Sequence, residues 1–149
     1  MNLEAMYQEI ILDHYKNPQN KNLREPCPAG FVQVHHVNPT CGDEISLRIK
    51  VEQNQIVSLE WDGLGCSISQ ASASIMSQLV VHQQVPDALD QIDLFLKLMK
   101  SDTSVSYEEL DDAIAFAGVA KYPARIKCAL LGWMALKDSI AQSMEGKDK

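Results

Sequence analysis

The sequence predicts an α+β fold: a small antiparallel three-stranded sheet packed against several helices, in one domain spanning 1–149. Three observations predict it. Ile45, Leu47, Ile49 and Val51 alternate with Glu44, Ser46, Arg48 and Lys50, the period of a half-buried strand. Stretches of strand character at Phe31 to Asn38 and Ile56 to Trp61 flank it through short links, which suits an antiparallel meander. Before residue 17 and after Gly65 the apolar spacing becomes helical. A chain of 149 residues with ordinary apolar content can bury a real core and fits one domain.

Taken in order, Leu3, Met6, Tyr7, Ile10, Ile11, His14 and Tyr15 form a helical stripe over residues 3–15. Asn2 can cap that helix, and Asn17-Pro18 stops it. Residues 17–30, with three prolines and three asparagines, read as a connecting loop. The three strands follow, joined at Glu52-Gln53-Asn54-Gln55 and ended by Asp62-Gly63-Leu64-Gly65. A helix then starts near Cys66, with Ile68, Ala71, Ile75 and Leu79 on one side and small residues suited to close packing. Pro86 fits the first turn of the next helix, whose inner face is Leu89, Ile92, Leu96 and Met99. Ser106-Tyr107-Glu108-Glu109 fits a capping box for a helix ending near Gly118. Pro123 opens the last helix, expected to reach about Ser143, with residues 145–149 frayed.

The net charge of −7 argues against nucleic acid, which needs a basic face, and against an anionic membrane surface. No apolar run has transmembrane length, and the first residues lack the pattern of a signal peptide. The expected location is the cytoplasm, where four cysteines read as thiols or metal ligands rather than disulfides.

The stretch with chemistry is Pro39-Thr40-Cys41-Gly42-Asp43. Cys41 and Asp43 are two apart and share parity with Ile45, Leu47 and Ile49. In extended backbone both would project from the buried face, just past the sheet's end. Cys66 and Cys128 lie at the starts of two helices, the latter with Arg125 one turn back. Helix N-termini and nearby cations lower a thiol's pKa, favouring the thiolate. Each cysteine alone reads as a small packing residue. As a set beside Asp43, three sulfurs and one oxygen suit tetrahedral zinc.

The other candidates carry blander readings. His14 belongs to the core side of its helix, and His82 to the surface. His35 and His36 face opposite sides of a strand. Lys127 reads as solvated, residues 109–112 as an acidic first turn, and Cys27, between two prolines, as incidental.

Four stretches occur in order: Asp13-His14-Tyr15-Lys16-Asn17-Pro18, Asn38-Pro39-Thr40-Cys41-Gly42-Asp43, Gly63-Leu64-Gly65-Cys66-Ser67-Ile68-Ser69 and Lys127-Cys128-Ala129-Leu130. Together they resemble the SufU branch of the IscU/NifU N-terminal-like iron–sulfur cluster assembly family. The resemblance implies a compact SufU/IscU-like fold with its sheet covered by helices. It implies zinc held by Cys41, Asp43, Cys66 and Cys128. It also implies a SufS-like, pyridoxal-phosphate-dependent cysteine desulfurase as partner, with Cys41 matching the persulfide sulfur acceptor and Arg125 an arginine near the site. Scaffold-type relatives carry histidine where this chain has Lys127, and a Leu-Pro-Pro-Val-Lys motif where it has Tyr122-Pro123-Ala124-Arg125-Ile126-Lys127. The stretch between Cys66 and Cys128 is also longer. These departures favour sulfur relay over cluster building.

The expected function is therefore a zinc-dependent sulfur acceptor, a sulfurtransferase acting with the desulfurase and supplying downstream cluster assembly proteins. The alternative is a scaffold on which the same ligands hold iron or a [2Fe–2S] cluster. A zinc hydrolase or deaminase would need a general base and an open coordination position, and no His-x-Glu or Cys-x-x-Cys motif is present. A purely structural zinc site is the quieter alternative.

Overall fold

The structure, a computed structural model, describes residues 3–23 and 26–147. Its elements are α1 (Leu3–Lys16), β1 (Phe31–Asn38), β2 (Asp43–Glu52), β3 (Gln55–Leu64), α2 (Ser67–Val80), α3 (Val85–Met99), a 3-10 segment η1 (Glu108–Lys121) and α4 (Pro123–Lys147). The strands form an antiparallel meander in the order β1-β2-β3, and helices cover one face. The predicted fold class is the observed one.

The β2 alternation works as read. Ile45, Leu47 and Ile49 are buried against the helices, and α4 packs across β1 and β2. Arg48, on the opposite face, is also buried, because its guanidinium pairs with Glu60 at 2.7 Å and lies over the Phe31 ring. Deeper in, Phe95 stacks on Trp133 with centroids 4.3 Å apart and meets Phe116 edge-on at 6.0 Å. These three rings tie α3, η1 and α4 into one core.

Several boundaries differ from the sequence reading. β3 continues through Asp62, Gly63 and Leu64, where a terminating turn was expected. A side chain at Gly63 would collide with the Glu44 carbonyl oxygen, so glycine lets the two strands stay paired to the end. This extension delivers Gly65 and Cys66 alongside Asp43.

Residues 108–121 do not form a capped α-helix ending at Gly118. They form a 3-10 segment kinked at Asp111 (φ 50°, ψ −126°) and running to Lys121. Of its buried residues, Leu110, Ala113, Phe116 and Val119 recur every third position, matching the roughly three residues per turn of a 3-10 helix, with Ala115 buried beside them. The Ser106 hydroxyl accepts only the Glu108 N–H, at 3.4 Å, and the element stops at Tyr122, whose backbone Pro123 holds extended.

α4 runs to Lys147, past the expected end near Ser143, so residues 145–147 are helical rather than frayed. The α1 stripe is only partly covered: His14 is buried, while Leu3, Met6 and Tyr15 stay exposed. The proposed cap Asn2 and the terminal residues 148 and 149 lie outside the described residues. Among the described residues, no helix is long and apolar enough to cross a membrane.

Candidate metal centre

The site is built where the β1–β2 turn meets the starts of α2 and α4. Asp43, the first residue of β2, is 1 % exposed and faces inward with Ile45 and Leu47. Cys41 does not keep that parity. Gly42 has φ +73°, which breaks the extended backbone, and Cys41 sits exposed on the turn. The turn is held by the Asn38 carbonyl, which accepts the N–H groups of Cys41 at 3.3 Å and Gly42 at 2.9 Å.

Cys41 Sγ lies 3.2 Å from Sγ of the fully buried Cys128. That separation is well beyond the roughly 2.05 Å of a disulfide, and both residues are free thiols. The two sulfurs and an Asp43 carboxylate oxygen all lie within 4.8 Å of one another. Cys66 caps the N-terminus of α2 through its backbone and stands at the edge of this group, its Sγ 3.9 Å from Asp43 Oδ2. Asp43 Oδ1 accepts the Cys66 N–H at 3.0 Å, which fixes the carboxylate at the positive end of α2.

A side chain at Gly65 would place its Cβ 2.5 Å from both Asp43 Oδ1 and Ser69 Oγ. The carboxylate therefore occupies the space that glycine leaves. Ser69, buried, donates its hydroxyl to the Cys66 carbonyl at 3.0 Å and lies 3.9 Å from Cys66 Sγ. One turn on, the Ser72 hydroxyl donates to the Ala129 carbonyl at 2.6 Å and accepts from Trp133 Nε1 at 3.0 Å. That bridge locks the helix that carries Cys66 against the helix that carries Cys128. Neither serine was singled out from sequence. Their signals are spacing of three and six residues from Cys66 on the small-residue side of the helix and, for Ser69, a place at the end of the Gly63–Ser69 stretch.

The electrostatics correct one expectation. Cys128 does not have a lowered pKa. Burial pushes its thiol well above the ordinary range, reinforced by hydrogen bonds with Cys41, Asp43 and Cys66. Arg125, one turn before Cys128 in α4, is exposed. It lines a groove of about 760 Å³ with Tyr7, Ile11, Val119, Tyr122 and Ser67, the residue after Cys66. Desolvation thus dominates over a cation at the surface.

The chemistry of this donor set fits a cation. One exposed, one half-buried and one fully buried thiol crowded against a buried carboxylate cannot all ionise alone, and a dication would supply the missing charge. Three sulfurs and one oxygen suit a tetrahedral, thiolate-preferring metal. The remaining candidates fall outside the site. His14 is buried, its Nδ1 2.8 Å from Ser74 Oγ. His35 pairs with Ser46 on the outer sheet face, and His36 with Asp138 of α4 at 2.8 Å on the inner one. His82 and Cys27 are exposed in turns and loops.

Known proteins share this arrangement of elements and much of its sequence. The zinc-dependent sulfurtransferase SufU of Bacillus subtilis is 39 % identical over 145 residues, covering 97 % of this chain and 96 % of its own. The iron–sulfur cluster assembly scaffold protein IscU of Streptococcus pyogenes is 38 % identical, covering 95 % of this chain and 86 % of its own. A crystal structure from Fervidobacterium islandicum AW-1, of a protein assigned to the SUF system as a cluster assembly scaffold, superposes with TM-score 0.79 at 28 % identity. It covers 93 % of this chain and 98 % of that one. The family described as NifU-like N terminal domain matches residues 6–142. With that match running from α1 into α4, the chain belongs to the NifU-like N-terminal domain family.

Proposed function

We propose that this protein is a zinc-dependent sulfur acceptor. It takes the terminal sulfur of a persulfide from a pyridoxal-phosphate-dependent cysteine desulfurase and passes it on for iron–sulfur cluster assembly in the cytoplasm. One observation carries the reading: an exposed thiol, Cys41, stands 3.2 Å from a fully buried one, Cys128, at the same carboxylate. A purely structural site would have no need to expose a ligand. The 39 % identity to a zinc-dependent sulfurtransferase supports it.

Cys41, Asp43, Cys66 and Cys128 would hold the zinc. When bound, zinc supplies positive charge that keeps these thiols deprotonated and protects them from oxidation. The chain's own residues do the rest. Asp43 is held by the Cys66 N–H, and Cys66 by Ser69, so the buried side of the site stays fixed. Cys41, on its turn, can reach an incoming donor. Its thiolate attacks the outer sulfur of the donor persulfide. The donor's sulfur–sulfur bond breaks, the electron pair leaves on the donor cysteine, and Cys41 carries the new persulfide. The exchange needs no oxidant. Arg125, exposed one turn before Cys128, favours the approach of this anionic group.

The second reading, a scaffold holding a [2Fe–2S] cluster on the same ligands, is favoured by the 38 % identity to an IscU scaffold. Elemental analysis of fresh protein, joined to a persulfide assay on Cys41→Ala, separates the two. Colourless protein with about one zinc per chain, whose Cys41→Ala variant fails to stimulate the desulfurase, supports sulfur relay. Brown protein with acid-labile sulfide, able to pass its cluster to an apo-acceptor, supports the scaffold.

A further inference from the structure

Among the buried polar atoms of the described residues, Asn38 Nδ2 has no hydrogen-bond partner. Asn38 is only 7 % exposed, so the unpaired donor carries a desolvation penalty that native structures seldom leave without use. The two oxygens of Asn38 are both engaged in the turn. The main-chain carbonyl of Asn38 holds the N–H groups of Cys41 and Gly42, and Oδ1 accepts the Thr40 N–H at 3.3 Å. That last bond sets the amide's orientation, since a flipped amide would point a donor at a donor.

The position of this donor matters. Oδ1 lies over the turn that carries Cys41, so Nδ2, on the same carbon, lies there too. Asn38 is the register partner of Asp43 at the end of the β1–β2 hairpin. It belongs to the inner sheet face, against which α4 packs. Cys41 Sγ already reaches toward that helix, 4.0 Å from the Ala124 carbonyl. The unpaired N–H is therefore buried at the end of the hairpin, next to the turn that carries Cys41 and on the sheet face that α4 covers.

We propose that Asn38 is a positioning residue for sulfur transfer: its buried side-chain amide donates a hydrogen bond to the anionic sulfur that Cys41 carries after transfer. This rests on the sulfur-acceptor reading above. In that step the Cys41 thiolate bonds to the outer sulfur of a protein persulfide, and the donor's sulfur–sulfur bond breaks to release its thiolate. The product keeps one negative charge on its terminal sulfur. A primary amide suits that charge because it neither titrates near neutral pH nor competes as a nucleophile.

The test loads wild type, Asn38→Asp and Asn38→Ala from a persulfide-bearing cysteine desulfurase. Intact-protein mass spectrometry counts sulfur on Cys41, and elemental analysis of the same samples counts metal. Asn38→Asp keeps the oxygen that accepts the Thr40 N–H, loses the donor and adds a negative charge. Asn38→Ala removes both without adding charge. The expected result is wild-type metal content in both variants with Cys41 persulfide lowered about tenfold, the scale of a hydrogen bond to a charged group. Wild-type persulfide levels in metal-replete variants overturn the inference alone. A loss of metal parallel to the loss of persulfide also overturns it, by making Asn38 a support of the ligand turn. A wild-type protein that accepts no sulfur fells the acceptor reading itself, and this inference with it.

Discussion

The main-chain N–H of Cys66 donates to the side chain of Asp43 at 3.0 Å. One carboxylate thus does two jobs: it offers an oxygen to the thiol cluster and it satisfies an orphan donor at the start of α2. Site and fold are coupled through this bond. Asp43→Ala is expected to destabilise the metal-free protein by about 1 kcal/mol, the usual cost of losing a helix cap, and to weaken metal binding as well. Asp43→Asn keeps an oxygen for the Cys66 N–H, so it should recover most of the stability and little of the metal affinity. Urea melts of chelated protein and metal titrations of both variants check the split. Equal stability loss in the two would show that the capping bond contributes nothing.

Two glycines should respond in opposite directions. At Gly65 an added Cβ meets Asp43 Oδ1 and Ser69 Oγ at 2.5 Å, and both groups are held by hydrogen bonds of their own. Gly65→Ala is expected to cost about 1–3 kcal/mol by overpacking and to displace the Asp43 carboxylate. At Gly118 an added Cβ meets nothing within 4 Å, and its backbone lies in the helical 3-10 segment. Gly118→Ala should raise stability by about 0.4–1 kcal/mol through the unfolded chain and leave metal binding alone. Thermal melts and metal content measured side by side settle both signs.

Stability should also fall with mild acid. The Ser74 hydroxyl accepts the Gln19 N–H at 2.7 Å and lies 2.8 Å from His14 Nδ1, joining α1 and its following loop to α2. Burial lowers the His14 pKa below its ordinary 6.5, with Asp112 and Asp13 opposing weakly. The folded state therefore prefers neutral imidazole. Its contribution is complete above pH 6.5 and is lost as pH falls from there toward the lowered folded value, because the unfolded chain binds the proton first. Unfolding free energy measured between about pH 7.5 and 5 should decline in wild type and flatten in His14→Gln. An unchanged slope in the variant would assign the acid sensitivity to other groups.

How much of this was legible in the sequence depended on whether a local rule governed the outcome. Period-two alternation placed β2 and put Asp43 on the buried face, because strand parity is set by the backbone itself. The same parity failed at Cys41, where the left-handed Gly42 ends the extended run. The proposed ligand set is legible only as a set: no spacing in the chain says that residue 128 folds back to within 3.2 Å of residue 41. Family resemblance supplied that. At residues 108–121 the sequence reading takes Leu110, Ile114 and Ala117 as an α-helical stripe, because Ser106 and Glu109 imitate a capping box, whereas the structure buries Leu110, Ala113, Phe116 and Val119 at a period of three. The Cys128 pKa went the wrong way because burial, a tertiary property, outweighs a surface arginine. Asn38, Ser69 and Ser72 act through partners far along the chain or around a turn, and only their placement reveals them.

Differences in exposure among the four thiols predict an order of chemical modification. Cys27 and Cys41 are exposed, Cys66 is half-buried, and Cys128 is fully buried with its thiol held protonated. An alkylating reagent attacks the thiolate, so both access and protonation slow reaction at Cys128. In metal-loaded protein, Cys27 is expected to be modified alone, since it lies in the loop between Pro26 and Pro28, away from the cluster. After chelation Cys41 should join it, Cys66 should follow, and Cys128 should come last. Timed alkylation read by peptide mass spectrometry, with and without chelator, gives the order directly. Modification of Cys128 as fast as Cys41 would contradict the buried, protonated thiol. Protection of Cys27 by metal would bring that loop cysteine into the site, against its exposed position among the described residues.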